Sequence, residues 1–150
     1  MAKKTEKKYG EFDSVEELNK KAAELATNEA ELNILAQENG IDLVFVEMLL
    51  HHEMDVLVPD AMTAAIGKLD VEVAALDSKN QELGQGIAEY LKQKAMEDEQ
   101  LARAIRKNGK KLEDVCKKAW DEASKRKQGN CAYIPPFEIF QMARAYYMEV

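Results

Sequence analysis

The stretch "HHEMD", residues 51–55, brings together four side chains that can bind metal ions, two imidazoles and two carboxylates. Zinc takes three or four such ligands in a tetrahedral arrangement. Here the histidines are adjacent, and adjacent side chains point about 100° apart on a helix. The metalloprotease pattern instead places its histidines four residues apart around a glutamate. We therefore expect no metal site, and we interpret the stretch as the solvated end of a helix, where imidazoles meet the negative end of the dipole.

The two cysteines, Cys116 and Cys131, do not suggest catalysis. Cys116 lies on an apolar helical stripe with Trp120, which favours a small buried side chain, because a nucleophilic thiolate requires exposure and a neighbouring base. The same stripe predicts that Trp120 belongs to the core. Two cysteines do not form a disulfide framework, and they indicate reduced thiols in the cytoplasm. We expect no catalytic residues, no cofactor and no enzymatic activity.

Asp98 interrupts a row of apolar residues at helical spacing, made of Leu91, Ala95, Ala102 and Ile105. An unpaired carboxylate on such a face would cost several kcal/mol to bury. Two interpretations remain open. The carboxylate is bonded to a helix N-terminus or a basic side chain, or it contacts a partner directly.

A basic run, "RKNGKKLEDVCKKAWDEASKRK", covers residues 106–127. Ten basic and four acidic residues lie between Arg103 and Lys127, in a chain of net charge −7. We expect the helix that begins at Leu112 to bury its apolar stripe, so that its lysines face outward. This basic patch could meet phosphates or an acidic protein surface, or it could be a solvated helix face. The predicted partner-binding residues are Arg103, Arg106, Lys107, Lys110, Lys111, Lys117 and Lys118.

Charge is distributed unevenly along the chain. Residues 1–8 carry +3, residues 9–100 carry −15 from 6 basic and 21 acidic residues, and residues 101–150 carry +5 from 11 basic and 6 acidic residues. Such asymmetry favours two surfaces with different partners. The most apolar segment, residues 41–50, is shorter than the ~20 residues of a membrane span. Without a signal peptide at the start, we expect a cytoplasmic protein that does not bind a membrane.

Helix signals recur along the chain. Ser14, Asn28 and Asp42 are suited to N-cap three helices, Gly40 to end the second, and Pro59 to begin the fourth. Residues 87–109 read as one longer helix, and two further helices follow. We predict an all-α protein of about six to seven helices, built as one body or as two small modules.

Glycines at positions 84 and 86 weaken any helix that crosses them, and they suggest a module boundary near residues 80–86. The predicted organisation is a flexible basic tail over residues 1–12, an acidic helical module over residues 13–80 and a helical module with the basic patch over residues 81–150.

The C-terminal portion resembles the PcfK-like family of proteins from conjugative plasmids and related mobile elements. The resemblance rests on "AMEDE" within a helix, "KLEDVC" at a helix start and the ending "EIFQMARAYY", and it covers roughly residues 87–150. Upstream, "ENGID" and "AAIGKLDVE" look like a segment that accompanies this family in some mobile elements.

The resemblance implies a small helical accessory protein of a phage or plasmid, and some family members are counted among anti-CRISPR proteins. The expected function is therefore stoichiometric inhibition of a type II CRISPR RNA-guided nuclease, through binding of the protein or its guide-RNA complex. The acidic part would suit the positive nucleic-acid channel of such a nuclease. The alternative is a non-catalytic accessory protein of a mobile element, which contacts nucleic acid through the basic patch.

Overall fold

A computed structural model describes residues 7–129, 131 and 133–149, and the regular secondary structure of these residues consists of helices, with no strand among them. The all-α prediction is confirmed for this part of the chain. The eight helices formed by the described residues are α1 (Val15–Glu24), α2 (Glu29–Glu38), α3 (Leu43–Leu50), α4 (Ala61–Ala75), α5 (Gln81–Glu97), α6 (Glu99–Arg106), α7 (Leu112–Lys125) and α8 (Pro136–Met148).

The first helices begin and end where the local signals place them. Ser14 accepts a hydrogen bond from the amide of Glu17 at 3.1 Å, and Asn28 and Asp42 cap α2 and α3 in the same way. Gly40 ends α2 with a φ of +68°, in the left-handed region that favours glycine. These caps use short side chains and close neighbours in sequence, so the sequence alone predicts them well.

The number of helices differs from the prediction because residues 87–109 do not form one helix. The chain leaves helical geometry at Asp98, with φ −134° and ψ 102°, and the Asp98 carboxylate caps α6 by accepting from the amide of Leu101 at 3.2 Å. The apolar residues of the predicted row are buried on both sides of Asp98. The apolar pattern of the sequence therefore gave no indication that one helix ends and another begins at this residue.

The start of α5 also differs from the prediction, because the helix begins at Gln81 and runs through both glycines. The Gln81 amide donates to the carbonyls of Val73 and Leu76 at 2.8 and 2.7 Å, which satisfies the last turn of α4. Gly84 is buried, and a Cβ at this position would collide with the Leu76 side chain. Gly84 therefore permits close packing between α5 and the end of α4.

Two apolar clusters make up the core, and α4 contributes to both. The larger cluster joins α4 to α5, α6, α7 and α8, and the smaller one joins α1, α2, α3 and residues 57–58. Ala61, Ala65 and Leu69 pack into the larger cluster, whereas Ala64 packs into the smaller one. The buried side of α4 is thus centred on alanines, and Met62 and Ile66 are only partly buried.

Residues 7–12 belong to the segment predicted as a flexible basic tail, and they lie against the helices. The amides of Tyr9 and Gly10 donate to one carboxylate oxygen of Glu38 at 2.8 and 3.0 Å. Tyr9 and Phe12 pack on the smaller cluster. Residues 1–6 of the predicted tail lie outside the described residues.

Over the described ranges, no helix has both the length and the apolar character that a membrane span requires.

Candidate interaction surface

Five lysines of the basic run lie in the turn between α6 and α7, residues 107–111, or on α7 itself. Lys107, Lys111, Lys117 and Lys118 are exposed and Lys110 is half-buried. None of these five lysines forms an ion pair with another described residue. We call these five residues the basic surface. Their charges are available to an external anion.

Tyr146 of α8 anchors this surface from one side. Its hydroxyl donates to Asp114 at 2.7 Å and accepts from the amide of Lys111 at 2.9 Å. Lys110 Nζ donates to the Tyr146 carbonyl at 3.0 Å, and the Nζ atoms of Lys110 and Lys118 lie 4.7 and 5.9 Å from the ring centroid. Burial, and then the bond to Asp114, raise the pKa of Tyr146 to about 12, so its hydroxyl stays neutral and able to donate. Tyr146 therefore brings Lys110, Lys111 and Lys118 together.

Lys68 of α4 supports the same turn from beneath. Its side chain is buried, and Nζ donates to the carbonyls of Ile105, Lys107 and Lys110 at 2.8, 2.6 and 2.5 Å. An ammonium group has three donors, and here all three are used. Burial lowers the pKa of Lys68, opposed by the negative charges of Glu72 and Glu11.

Glu72 lies one helical turn after Lys68 and contacts the start of α7. Its Oε1 accepts from the amide of Leu112 at 3.2 Å, and its Oε2 is buried with no hydrogen-bond partner among the described residues. Burial raises the pKa of Glu72 to about 7, while Lys68 and the Leu112 amide act in the opposite direction. The carboxylate therefore titrates near physiological pH.

Arg106, predicted to face outward, is buried instead. It is 7% exposed, and its guanidinium donates to the carbonyl of Phe12 in the N-terminal segment. The reason is its position on α6, where Leu101, Ala102 and Ile105 form the buried side and Arg106 borders it. Arg106 holds the N-terminal segment against α6 and does not belong to the exposed basic surface.

Arg103 is exposed but stands apart from the basic surface. Its guanidinium donates to Glu99, one turn earlier on α6, at 3.0 Å. Of the seven predicted partner-binding residues, the structure thus places three lysines in the α6–α7 turn and two on α7, pairs Arg103 locally and buries Arg106.

Trp120 is not a core residue, contrary to the prediction. It is 41% exposed, its Nε1 donates to Asn80 at 2.7 Å, and Lys79 Nζ lies 4.7 Å above its ring. The buried side of α7 is centred on Val115 and Ala119, and Trp120 follows about 100° around the helix. The ring therefore lies at the edge of this side and covers the turn before α5.

Cys116 and the two histidines lie in the environments predicted for them. Cys116 is fully buried, and burial raises the pKa of its thiol to about 11. Cys131 is exposed. His51 is the C-cap of α3, and His52 follows it with a φ of +61°. Within residues 7–129, 131 and 133–149, no group of three or more His, Cys, Asp or Glu side chains is arranged to hold a metal ion.

Asp98 shows the first of its two predicted environments. One carboxylate oxygen accepts from the amide of Leu101, and the other accepts from the guanidinium of Arg144 on α8 at 2.8 Å. The residue is bonded both to a helix N-terminus and to a basic side chain.

Sequence reasoning missed Lys68, Glu72 and Tyr146. A signal for the first two was present, because Lys68 and Glu72 continue, at four-residue spacing, the row of small residues that contains Ala61 and Ala64. Two opposite charges on a buried row indicate a partner elsewhere in the fold. Tyr146 offers no such signal, because its partners are 32 and 35 residues away.

These features define an all-α protein with an exposed lysine surface set on a buried polar support. Residues 78–150, the region from the turn before α5 through α8, match the family described as PcfK-like protein. The five lysines of the basic surface and Tyr146 lie within this region, whereas Lys68 and Glu72 lie outside it. No curated protein and no solved structure matches the chain.

Proposed function

We propose that this protein inhibits a type II CRISPR RNA-guided nuclease by stoichiometric binding, without chemistry of its own. The observation that carries the proposal is the basic surface, five lysines without an ion-pair partner among the described residues, located in a PcfK-like region. The family resemblance includes anti-CRISPR members. An inhibitor of this kind acts in the cytoplasm, where the nuclease meets invading DNA.

The uneven charge of the chain supports a partner that presents both negatively and positively charged surfaces. Residues 9–100 carry −15 and residues 101–150 carry +5. A guide-loaded type II nuclease presents RNA phosphates and a strongly positive nucleic-acid channel. The acidic part of the chain complements the channel, and the basic surface complements phosphates or an acidic protein face.

A cleavage assay tests the proposal. Guide-loaded nucleases from several hosts are titrated with this protein, and for a susceptible nuclease activity should fall in proportion to inhibitor until the nuclease is saturated. Inhibition at far below one inhibitor per nuclease would indicate catalysis and contradict a binding mechanism.

A charge-reversal variant tests the basic surface. Lys107→Glu, Lys111→Glu and Lys117→Glu combined should weaken inhibition roughly tenfold to hundredfold at low salt, and less at high salt. The matched control combines Lys20→Glu, Lys79→Glu and Lys127→Glu, which changes the net charge equally at other exposed lysines. Equal loss in both variants would show that only net charge matters.

The second candidate is a nucleic-acid accessory protein of a mobile element, favoured by the availability of the five lysines to phosphate. A mobility-shift assay with duplex and single-stranded DNA separates the two. A clear salt-dependent shift, combined with no binding to any nuclease of the panel, would replace the inhibitor proposal with this function.

A further inference from the structure

The turn between α6 and α7 lies directly above two buried charges of α4. We infer that Lys68 and Glu72 are positioning residues for the basic surface, which fix the α6–α7 turn so that its lysines are presented together. The inference rests on the proposed function for its effect on inhibition, and on the geometry alone for its effect on the turn.

Lys68 supplies hydrogen-bond donors and a positive charge at the end of α6. The last carbonyls of a helix have no partner within the helix, and they carry the negative end of the helix dipole. The Lys68 ammonium binds the carbonyl of Ile105 near the end of α6 and those of Lys107 and Lys110 in the turn. Because three carbonyls converge on one atom, the path of residues 105–110 is fixed.

Glu72 supplies a hydrogen-bond acceptor and a negative charge at the start of α7. The N-cap position of α7 is Lys111, which makes no side-chain capping bond. The Glu72 carboxylate accepts from the first amide of the helix, at Leu112, and so places a negative charge at the positive end of the dipole. One helix therefore provides a cation for the end of α6 and an anion for the start of α7, one turn apart.

The buried position makes this support sensitive to protonation. Burial raises the pKa of Glu72 to about 7, and a neutral acid accepts from an amide more weakly than a carboxylate does. The charged and titratable groups that act on Glu72 come from its own helix, the N-terminal segment and α8. They are Lys68, Lys7, Glu11, Tyr146 and Tyr147. Arg106 of α6 and Lys111 of the turn act on Lys68.

Nuclear magnetic resonance tests the geometry without any partner. In the wild-type chain, the amide shift of Leu112 should titrate with a midpoint near pH 7, and in Glu72→Gln this titration should vanish. In Lys68→Met, hydrogen exchange of the amides of Lys111 and Leu112, which are bonded to Tyr146 and Glu72, should rise at least about tenfold, while that of α2 stays unchanged. Asp70→Asn is the matched control, because Asp70 is an exposed carboxylate of the same helix that binds Lys92 and not the turn.

Inhibition of a susceptible guide-loaded nuclease tests the consequence. Glu72→Gln imitates the protonated residue. At pH 8 its potency should therefore be about threefold to tenfold weaker than that of the wild type at the same pH. It should equal the potency of the wild type near pH 6. The wild-type potency should fall between pH 8 and pH 6, while that of Glu72→Gln stays flat. Asp70→Asn should follow the wild type.

The two proposals fail separately. If the wild type inhibits no nuclease, the proposed function fails, and the amide titration and exchange still decide whether Lys68 and Glu72 hold the turn. If the wild type inhibits but Glu72→Gln keeps full potency and the same pH profile, the positioning role is overturned. If Lys68→Met does not fold, Glu72→Gln decides alone, since it keeps the size of the side chain and an acceptor oxygen.

Discussion

The buried carboxylate of Glu72 makes the free energy of unfolding depend on pH. Burial raises its pKa in the folded chain from the ordinary 4.5 to about 7. Between these two values the folded chain holds a proton that the unfolded chain has lost. The contribution of this group to stability is therefore complete below about pH 4.5 and lost as the pH rises through 7.

We predict that Glu72→Gln removes this dependence. The free energy of unfolding of the wild type, measured relative to Glu72→Gln by urea denaturation, should fall by about 2–3 kcal/mol between pH 5 and pH 8, at about 1.4 kcal/mol per pKa unit. Taking the difference cancels the contribution of the other carboxylates. A constant difference across this range would show that Glu72 ionises normally.

Trp120 provides a second prediction for a single side chain. Because the ring is 41% exposed, Trp120→Ala should lower the free energy of unfolding by about 1–2 kcal/mol, from partial burial and the bond to Asn80. Leu112→Ala, at a fully buried position of the same helix, should cost about 2–5 kcal/mol. Native tryptophan fluorescence should resemble that of a solvent-accessible indole, and a strongly blue-shifted maximum would contradict the exposed position.

At the scale of the secondary-structure elements, Asp98 divides one predicted helix into two. Its two oxygens bind different elements, the N-terminus of α6 and Arg144 of α8. The direction of α6, and with it the position of the α6–α7 turn, therefore depends on this residue. The helix break at Asp98 therefore helps to determine where the candidate interaction surface lies.

We predict that the two bonds of Asp98 can be separated by substitution. Asp98→Ala removes both the cap and the Arg144 bond and should cost about 1–3 kcal/mol. Asp98→Asn keeps a good N-cap and loses only the charge opposite the partly exposed Arg144, so it should cost less than about 1 kcal/mol. Chemical denaturation measures both, and equal costs would show that the cap contributes nothing.

At the scale of the whole molecule, a close contact between Gly40, at the end of α2, and Gly67 of α4 brings the smaller cluster against α4. A Cβ at Gly67 would lie 2.6 Å from the carbonyl oxygens of Asn39 and Gly40, which are backbone atoms that cannot move aside cheaply. The end of α2 therefore lies directly against α4, and only glycine at both positions permits this approach.

We predict opposite effects of alanine at two glycines in helices. Gly67→Ala should lower the midpoint of thermal unfolding strongly, because the two apolar clusters must separate to make room, at a cost of about 2–4 kcal/mol. Gly86→Ala on α5, where a Cβ meets nothing within 4 Å, should raise stability by about 0.5–1 kcal/mol. A gain of stability at both positions would indicate that helix propensity, and not the contact, determines the outcome.

The parts of the fold that depend on close sequence neighbours were predictable. The caps at Ser14 and Asn28, the end of α2 at Gly40 and the outward lysines of α7 all follow from short-range patterns. These signals act within one or two helical turns, so no knowledge of the tertiary structure is needed.

The remaining features depend on partners far along the chain. Asp98 meets Arg144 across 46 residues, Lys68 meets the turn across 37 to 42 residues, and Arg106 meets Phe12 across 94. Periodicity describes one helix at a time. It therefore assigned Trp120 to the core and Arg106 to the surface, although burial on α7 ends at Ala119 and burial on α6 extends to Arg106.

The different burial of the two cysteines has a practical consequence for measuring affinity. Cys116 is enclosed with its pKa raised to about 11, whereas Cys131 is exposed, so a maleimide dye at neutral pH should attach once to the native chain and twice after denaturation. The natural sequence thus provides a selective labelling position outside the five lysines of the basic surface. Fluorescence anisotropy could follow complex formation without any engineered residue, and intact mass would verify the number of adducts.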